Sequence, residues 1–348
     1  MSDSPDHPPA APSPVSRPRG VKILIQIVGF LGGLALLGWC VTLAFNPSNR
    51  EQLEKIRDLA PSRVALLAAL SLATILLDGL IFWFTLRPVR RLAPVDVVAT
   101  NAVATFLNYL PFKLGLISRF VIHNRRDGVP VLTIFAWMAA LAMGILSTYA
   151  PVVLVSLARP NVDGLWAAMV ALALALSFVL VWQSSRLFAG ELGLRRLDAL
   201  AGAIRLPILR RFFASAMFRH LHAGFAMLAD ARCLAAVFAL RILDLGLQAW
   251  RYHAAFDALG QPIAAEKSVL IAAGYMMIGV VSPFGMAGTR EGGITWLITR
   301  FGLEGVTASG VAVVVLLVGA FAAVSTIALA ALGLAWLRPD RLLRSRSR

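Results

Sequence analysis

The chain has 348 residues, of which 59% are hydrophobic and only 15% charged, with a mean hydropathy of +0.77. A soluble domain runs near half apolar and a quarter charged, so this composition excludes an ordinary soluble globular fold. The formal charge of +15 does not point to nucleic acid: no zinc-ligand spacing, RNP-type motif or basic-aromatic platform occurs, and basic residues in short loops between apolar blocks are the positive-inside bias of a membrane protein.

Residues 1–20, rich in Pro, Ser and Ala, are expected to form a disordered cytoplasmic tail. The apolar run 21–45 is too long for a signal-peptide core and lacks a cleavage site, so it reads as a first spanning helix that stays attached. Further spans are predicted at 63–86, 131–157, 164–182, 233–256 and 309–337. Cys40 and Cys233 lie in or beside these spans and imply neither a disulfide framework nor a metal site.

Two apolar stretches, 95–118 and 268–300, are interrupted by Pro and Gly and carry charges, so neither is a simple crossing. Taken as re-entrant or broken-helix segments, they leave six full crossings and put both termini on one side. Most Lys and Arg then fall on that side, including eight in the loop 183–232, which makes it cytoplasmic. The expected fold is an all-α polytopic membrane protein with about six full spans plus the two broken segments in an inverted repeat. One transmembrane domain covers 21–340, followed by a basic cytoplasmic tail at 341–348. The loop 183–232, with Arg205, Arg210, Arg211 and Arg219 among Phe212, Phe213, Met217, Phe218 and Leu221, reads as a basic amphipathic stretch suited to an anionic leaflet or as a topological anchor. His220 and His222 there carry no metal-site signal.

The interrupted stretches read NYLPFKLGLISR and VVSPFGMAGTREGG. Each has an apolar helix, then Pro-Phe, then small residues, then an Arg about two turns beyond the proline. A repeated broken-helix motif in opposite orientation is what an inverted-repeat transporter shows at its substrate site. Half-helix N–H groups, helped by an Arg, form a natural anion or phosphate site. The candidate binding residues are Lys113, Gly115 and Arg119 in the first stretch, and Pro283, Gly285, Gly288, Arg290 and Glu291 in the second. The alternative is that Pro and Gly merely kink two packed helices.

Polar residues inside the spans suggest a pathway. Arg241, Asp244, Gln248 and Arg251 recur at spacings of three and four and share one helix face, where Arg241 and Asp244 can pair. Asn101, Thr105 and Asn108 share a face leading to Pro111, suited to interhelical hydrogen bonds. Asp78 stands alone mid-span, as a proton-coupling group or as the partner of an Arg such as Arg241 or Arg290.

The pattern Pro-x-x-x-Gly-x-x-x-Arg from Pro111 to Arg119, and the Gly-rich run from Pro283 ending Gly-Thr-Arg290-Glu291-Gly292, resemble the two signatures of the lysylphosphatidylglycerol synthase transmembrane region, a flippase-like family. The resemblance covers nearly everything from 20 to 340. Leu116 stands where the family usually has an acidic residue, and Phe112 and Lys113 where it has Gly and Arg. With no aminoacyl-transferase domain expected after the membrane region, the resemblance implies lipid translocation or lipid binding rather than synthesis.

No Gly-x-Ser-x-Gly elbow, Walker loop, HExxH or paired carboxylates occur, so an enzyme, a cofactor and a metal are not expected. The expected function is binding an anionic lipid or lipid-linked headgroup and carrying it between leaflets of a bacterial inner membrane. Arg290, Arg119 and Lys113 would hold phosphate, and Glu291 would orient Arg290 or recognise a cationic group. The partners would be a membrane phospholipid or lipid-linked glycan, with a second copy of the chain or a lipid-biosynthesis enzyme. Two other classes compete: a proton-coupled solute transporter using Asp78 or Asp244, and a non-catalytic membrane subunit of an envelope-lipid biosynthesis system.

Overall fold

A computed structural model describes residues 19–110, 114–159, 161–204, 212–213, 215–281, 288–301 and 307–338. The described residues form α-helices and one short 3₁₀ turn, with no strand among them. In chain order the helices are α1 (Arg19–Ala44), α2 (Arg50–Arg57), α3 (Pro61–Leu86), α4 (Pro94–Leu107), α5 (Leu114–Arg125), α6 (Val131–Ala158) and α7 (Gly164–Phe188). Then come α8 (Gly190–Ile204), α9 (Ala216–Ala229), α10 (Ala231–Ala258), α11 (Ala265–Val281), α12 (Thr289–Phe301) and α13 (Ala308–Leu337).

Six of them, α1, α3, α6, α7, α10 and α13, are long and apolar enough to cross a membrane, so the protein is a multi-pass membrane protein. Their starts follow local chemistry. Proline occupies the first turn of α3 and α4, where its missing N–H costs nothing. Asp163, Ser215, Asp230 and Thr307 cap α7, α9, α10 and α13 through side-chain oxygens that accept backbone N–H groups.

The two interrupted stretches are each a pair of helices folded back on itself. In the first, Arg119 of α5 reaches Asn101 of α4, and Gly115 lies so close to α4 that a Cβ would overlap the Ala104 carbonyl oxygen. In the second, Tyr275 of α11 bonds Glu291 of α12, and Gly279 faces Arg290. The hairpins enter from opposite ends of the bundle. At the base of the first, Asp96 accepts from Arg126 at 2.7 Å and from Trp336, near the end of α13, at 2.8 Å. At the base of the second, Gln261 backs onto Gly310, at the start of α13. The breaks themselves, 111–113 and 282–287, lie outside the described residues, as does all of the two predicted tails except Arg19 and Gly20.

Packing follows the rules of a membrane interior, where small residues let backbones approach. The short helix α4 lies against α3 and α13, with Gly79 against Val98 and Gly333 against the Ala99 carbonyl. Two apolar clusters flank the centre. One gathers Tyr252, Phe256, Ile271 and Val311 to Val315; the other gathers Ile81, Ile134, Trp137, Leu234 and Val237.

The segment 183–232 departs from the expected loop. The helix α7 runs on to Phe188, α8 and α9 are helical, and α9 is packed into the bundle. Met227 and Leu228 are buried, Gly224 abuts the Ala136 carbonyl, and Trp182 donates to the Ala229 carbonyl at 3.2 Å. The apolar and small residues of α9 recur at helical spacing, which draws it onto α6 and α7 rather than leaving it on a leaflet. Arg205, Arg210 and Arg211 lie outside the described residues.

Candidate functional site

A cavity of about 360 Å³ opens at the centre of the bundle. Its walls come from the middle turns of four spanning helices: Thr74 and Asp78 of α3, Leu141 and Ile145 of α6, Arg241 to Arg251 of α10, and Ala322 and Thr326 of α13. Both hairpin tips close it, the first through Asn108, Tyr109 and Leu116 and the second through Gly279, Val280 and Arg290.

One polar network ties the first hairpin to the spans. Arg241, only 1% exposed, pairs with Asp78 at 2.9 Å and with Asp244 at 3.7 Å. The other carboxylate oxygen of Asp78 accepts from Asn101 at 3.4 Å, and Asn101 in turn accepts from Arg119. The Tyr149 hydroxyl donates to Asp244 at 2.7 Å. The Arg119 guanidinium also lies 4.2 Å from the Phe82 ring centroid, a cation–π contact.

A second network belongs to the other hairpin. Arg251 donates to Ser71 at 3.3 Å and to Gln248, and Gln248 contacts the Met276 sulfur at 3.4 Å. Arg290 lies 5.2 Å from the Tyr275 ring centroid. Glu291 is buried behind it, accepting from the Tyr275 hydroxyl at 3.0 Å and from the Gly288 N–H at 2.9 Å. This carboxylate at the third position of α12 reaching back to the residue before the helix is one half of a capping box. Gly288 has φ +76 and abuts the Gly33 carbonyl of α1, so the hairpin is seated on the first span.

Of the residues singled out from sequence, Asp78, Asn108, Arg119, Arg241, Asp244, Gln248 and Arg290 line the one cavity. Asn101 stands behind it as a bridge, Gly115 and Gly288 make the tight helix contacts, and Glu291 braces the second hairpin. Lys113, Pro283 and Gly285 lie outside the described residues. Tyr109, Tyr149, Tyr275, Ser71 and Phe82 escaped the sequence reading, although a tyrosine in mid-span was a visible signal.

The electrostatics are one-sided. Among the described residues, four arginines and two aspartates line the cavity, and both aspartates turn to Arg241. Among the described residues, Arg119, Arg251 and Arg290 have no carboxylate within ion-pair distance. The Nε atoms of Arg119, Arg241, Arg251 and Arg290 and Nη2 of Arg241 are buried without a hydrogen-bond partner among the described residues. A charge at the centre of a spanning helix costs about 2.5–3.5 kcal/mol. An arrangement of this kind has the chemistry to hold an anion, and phosphate oxygens match the guanidinium fork.

The family described as the lysylphosphatidylglycerol synthase TM region matches over residues 26–333. No curated protein and no solved structure matches the chain.

Proposed function

Since the chain belongs to the lysylphosphatidylglycerol synthase TM region family, whose members are integral membrane proteins of lipid metabolism, we propose that it binds the phosphate-bearing headgroup of a lipid or lipid-linked glycan and carries it between leaflets. The observation that carries this reading is the convergence of Arg119, Arg241, Arg251 and Arg290, from two hairpins and a spanning helix, on one cavity at mid-span. In this reading the hairpins are the two halves of an inverted repeat, the headgroup crosses the polar cavity, and the acyl or prenyl tails stay in the bilayer. The protein acts as a carrier rather than an enzyme, in a bacterial inner membrane with both termini cytoplasmic, where the basic residues gather.

The experiment is headgroup translocation in proteoliposomes with labelled native lipids, wild type against Arg290→Ala. Movement of one lipid class that disappears in the variant is the expected result. A folded wild-type protein that moves no lipid would overturn the reading. Uptake of a soluble compound driven by a pH gradient would instead favour a proton-coupled carrier, a reading that draws on the partial exposure of Asp78 to the cavity.

A further inference from the structure

Among the described residues, Asp78, Asp244 and Glu291 at and behind the cavity each have a partner. Asp78 holds Arg241 at 2.9 Å and accepts from Asn101 at 3.4 Å, while Asp244 accepts from Tyr149 at 2.7 Å. Glu291 spends one oxygen on the Tyr275 hydroxyl and the other on the Gly288 N–H. The guanidinium groups are filled less completely: among the described residues, buried N–H donors stay without a partner on Arg119, Arg241, Arg251 and Arg290. Against those five buried donor atoms, the described residues that line the cavity have a single buried side-chain acceptor without a partner, Oδ1 of Asp244.

A ligand that satisfies this cavity is rich in acceptors, negatively charged, and able to give one donor. A phosphodiester or phosphomonoester supplies the acceptors and the charge, and a neighbouring hydroxyl supplies the donor for Asp244. An ammonium group is the wrong complement. It brings three donors and no acceptor into a wall whose four arginines and two aspartates already sum to a formal charge of +2. Leaving buried donors unpaired and adding a like charge both oppose its binding.

We propose that the cavity selects a hydroxylated phosphate headgroup without an amine, and rejects aminoacylated and ethanolamine-bearing lipids, the lysyl lipid of the family's own name among them. This rests on the carrier reading above and narrows it. The hydroxyl can come from a glycerol headgroup or from a lipid-linked sugar phosphate, two sources with the same chemistry at this site.

The test is displacement of a fluorescent phosphatidylglycerol from the purified full-length protein. The competitors are phosphatidylglycerol, a polyprenyl phosphate sugar, phosphatidylethanolamine and lysyl-phosphatidylglycerol. One or both of the first two are expected to displace the probe at concentrations about tenfold below the last two. Displacement by phosphatidylglycerol alone identifies the glycerol source, and stronger displacement by the sugar phosphate identifies the glycan. Arg251→Gln should shrink the preference toward parity. If that variant melts below the wild type, Arg290→Gln takes its place. Amine-bearing lipids that compete as well as phosphatidylglycerol would overturn the selectivity while leaving the carrier reading intact. A folded protein that takes up neither this probe nor a fluorescent polyprenyl phosphate sugar, or from which no lipid displaces the probe it takes up, would overturn both.

Discussion

One guanidinium, that of Arg241, is shared between Asp78 at 2.9 Å and Asp244 at 3.7 Å, joining α10 to α3 across 163 residues of sequence. The Arg241 side chain is 1% exposed and that of Asp78 is 29% exposed, so the pair sits at the cavity wall rather than in solvent. Removing one partner of a buried pair costs about 3–5 kcal/mol, and the partial exposure of Asp78 lowers that to roughly 1–3 kcal/mol. Asp78→Ala is therefore expected to lower the thermal unfolding midpoint in detergent by several degrees. Asp78→Leu combined with Arg241→Met should recover most of the loss, because apolar replacements of a buried pair are often neutral. Tryptophan fluorescence during heating reads both, and single variants that melt with the wild type would show that the pair contributes nothing.

The hairpins depend on two glycines for different reasons. At Gly115 a Cβ would overlap the Ala104 carbonyl, and at Gly288 the backbone is left-handed at φ +76 and a Cβ would strike the Gly33 carbonyl. Alanine at either position is expected to cost more than about 1 kcal/mol, through overlap at the first and overlap with strain at the second. Gly246, on the exposed face of α10, has nothing within 4 Å of an added Cβ. Gly246→Ala should be neutral or stabilise by up to about 1 kcal/mol through helix propensity. The folded fraction after detergent extraction, followed by size-exclusion chromatography, ranks the three.

The six spans were legible in the sequence because their signal is local: twenty or more apolar residues in a row have few other uses. The predicted 63–86 and 309–337 became Pro61–Leu86 and Ala308–Leu337. The broken segments were legible for the same reason, since Pro and Gly interrupt the apolar run where the helix must stop. Helical spacing also put Arg241, Asp244, Gln248 and Arg251 on one face. Pairing between distant helices was legible only in part. Asp78 was matched to Arg241 or Arg290 with nothing local to choose Arg241, and nothing near Arg119 says that Asn101 and Phe82 hold it. The segment 183–232 was read as a loop because its arginines outweighed the periodic small and apolar residues of α9, which packing later used.

Glu291 was expected to orient Arg290 or to meet a cationic group, and its oxygens in fact go to the Tyr275 hydroxyl and the Gly288 N–H. Its work is then to hold the start of α12 and so to place Arg290. Glutamine serves the same capping position. Glu291→Gln is expected to keep headgroup binding within about twofold of wild type and stability within about 0.5 kcal/mol. Glu291→Ala leaves the N–H and hydroxyl without an acceptor and should cost about 1–2 kcal/mol, with weaker lipid binding. A Gln variant that folds as the wild type but loses binding would show that the negative charge itself meets the ligand.

Arg119 and Arg126 lie on either side of the end of α5 and separate two uses of a cation. Arg119 is buried, donates to Asn101 and lies 4.2 Å from the Phe82 ring centroid, a combination that suits a planar, weakly hydrated guanidinium better than a compact ammonium. Arg126 is a quarter exposed and meets Asp96 at 2.7 Å, a contact a lysine ammonium can also make. Arg119→Lys keeps the charge but loses the stacking and the fork, a loss of about 1–2 kcal/mol, so anionic-lipid affinity is expected to fall on the order of tenfold. Arg126→Lys should leave that affinity unchanged. Displacement of fluorescent phosphatidylglycerol measures both on one scale. Equal small effects would mean that the cavity reads charge alone; a tenfold gap would mean that it reads the planar geometry of Arg119, as expected of a site that grips phosphate through guanidinium forks.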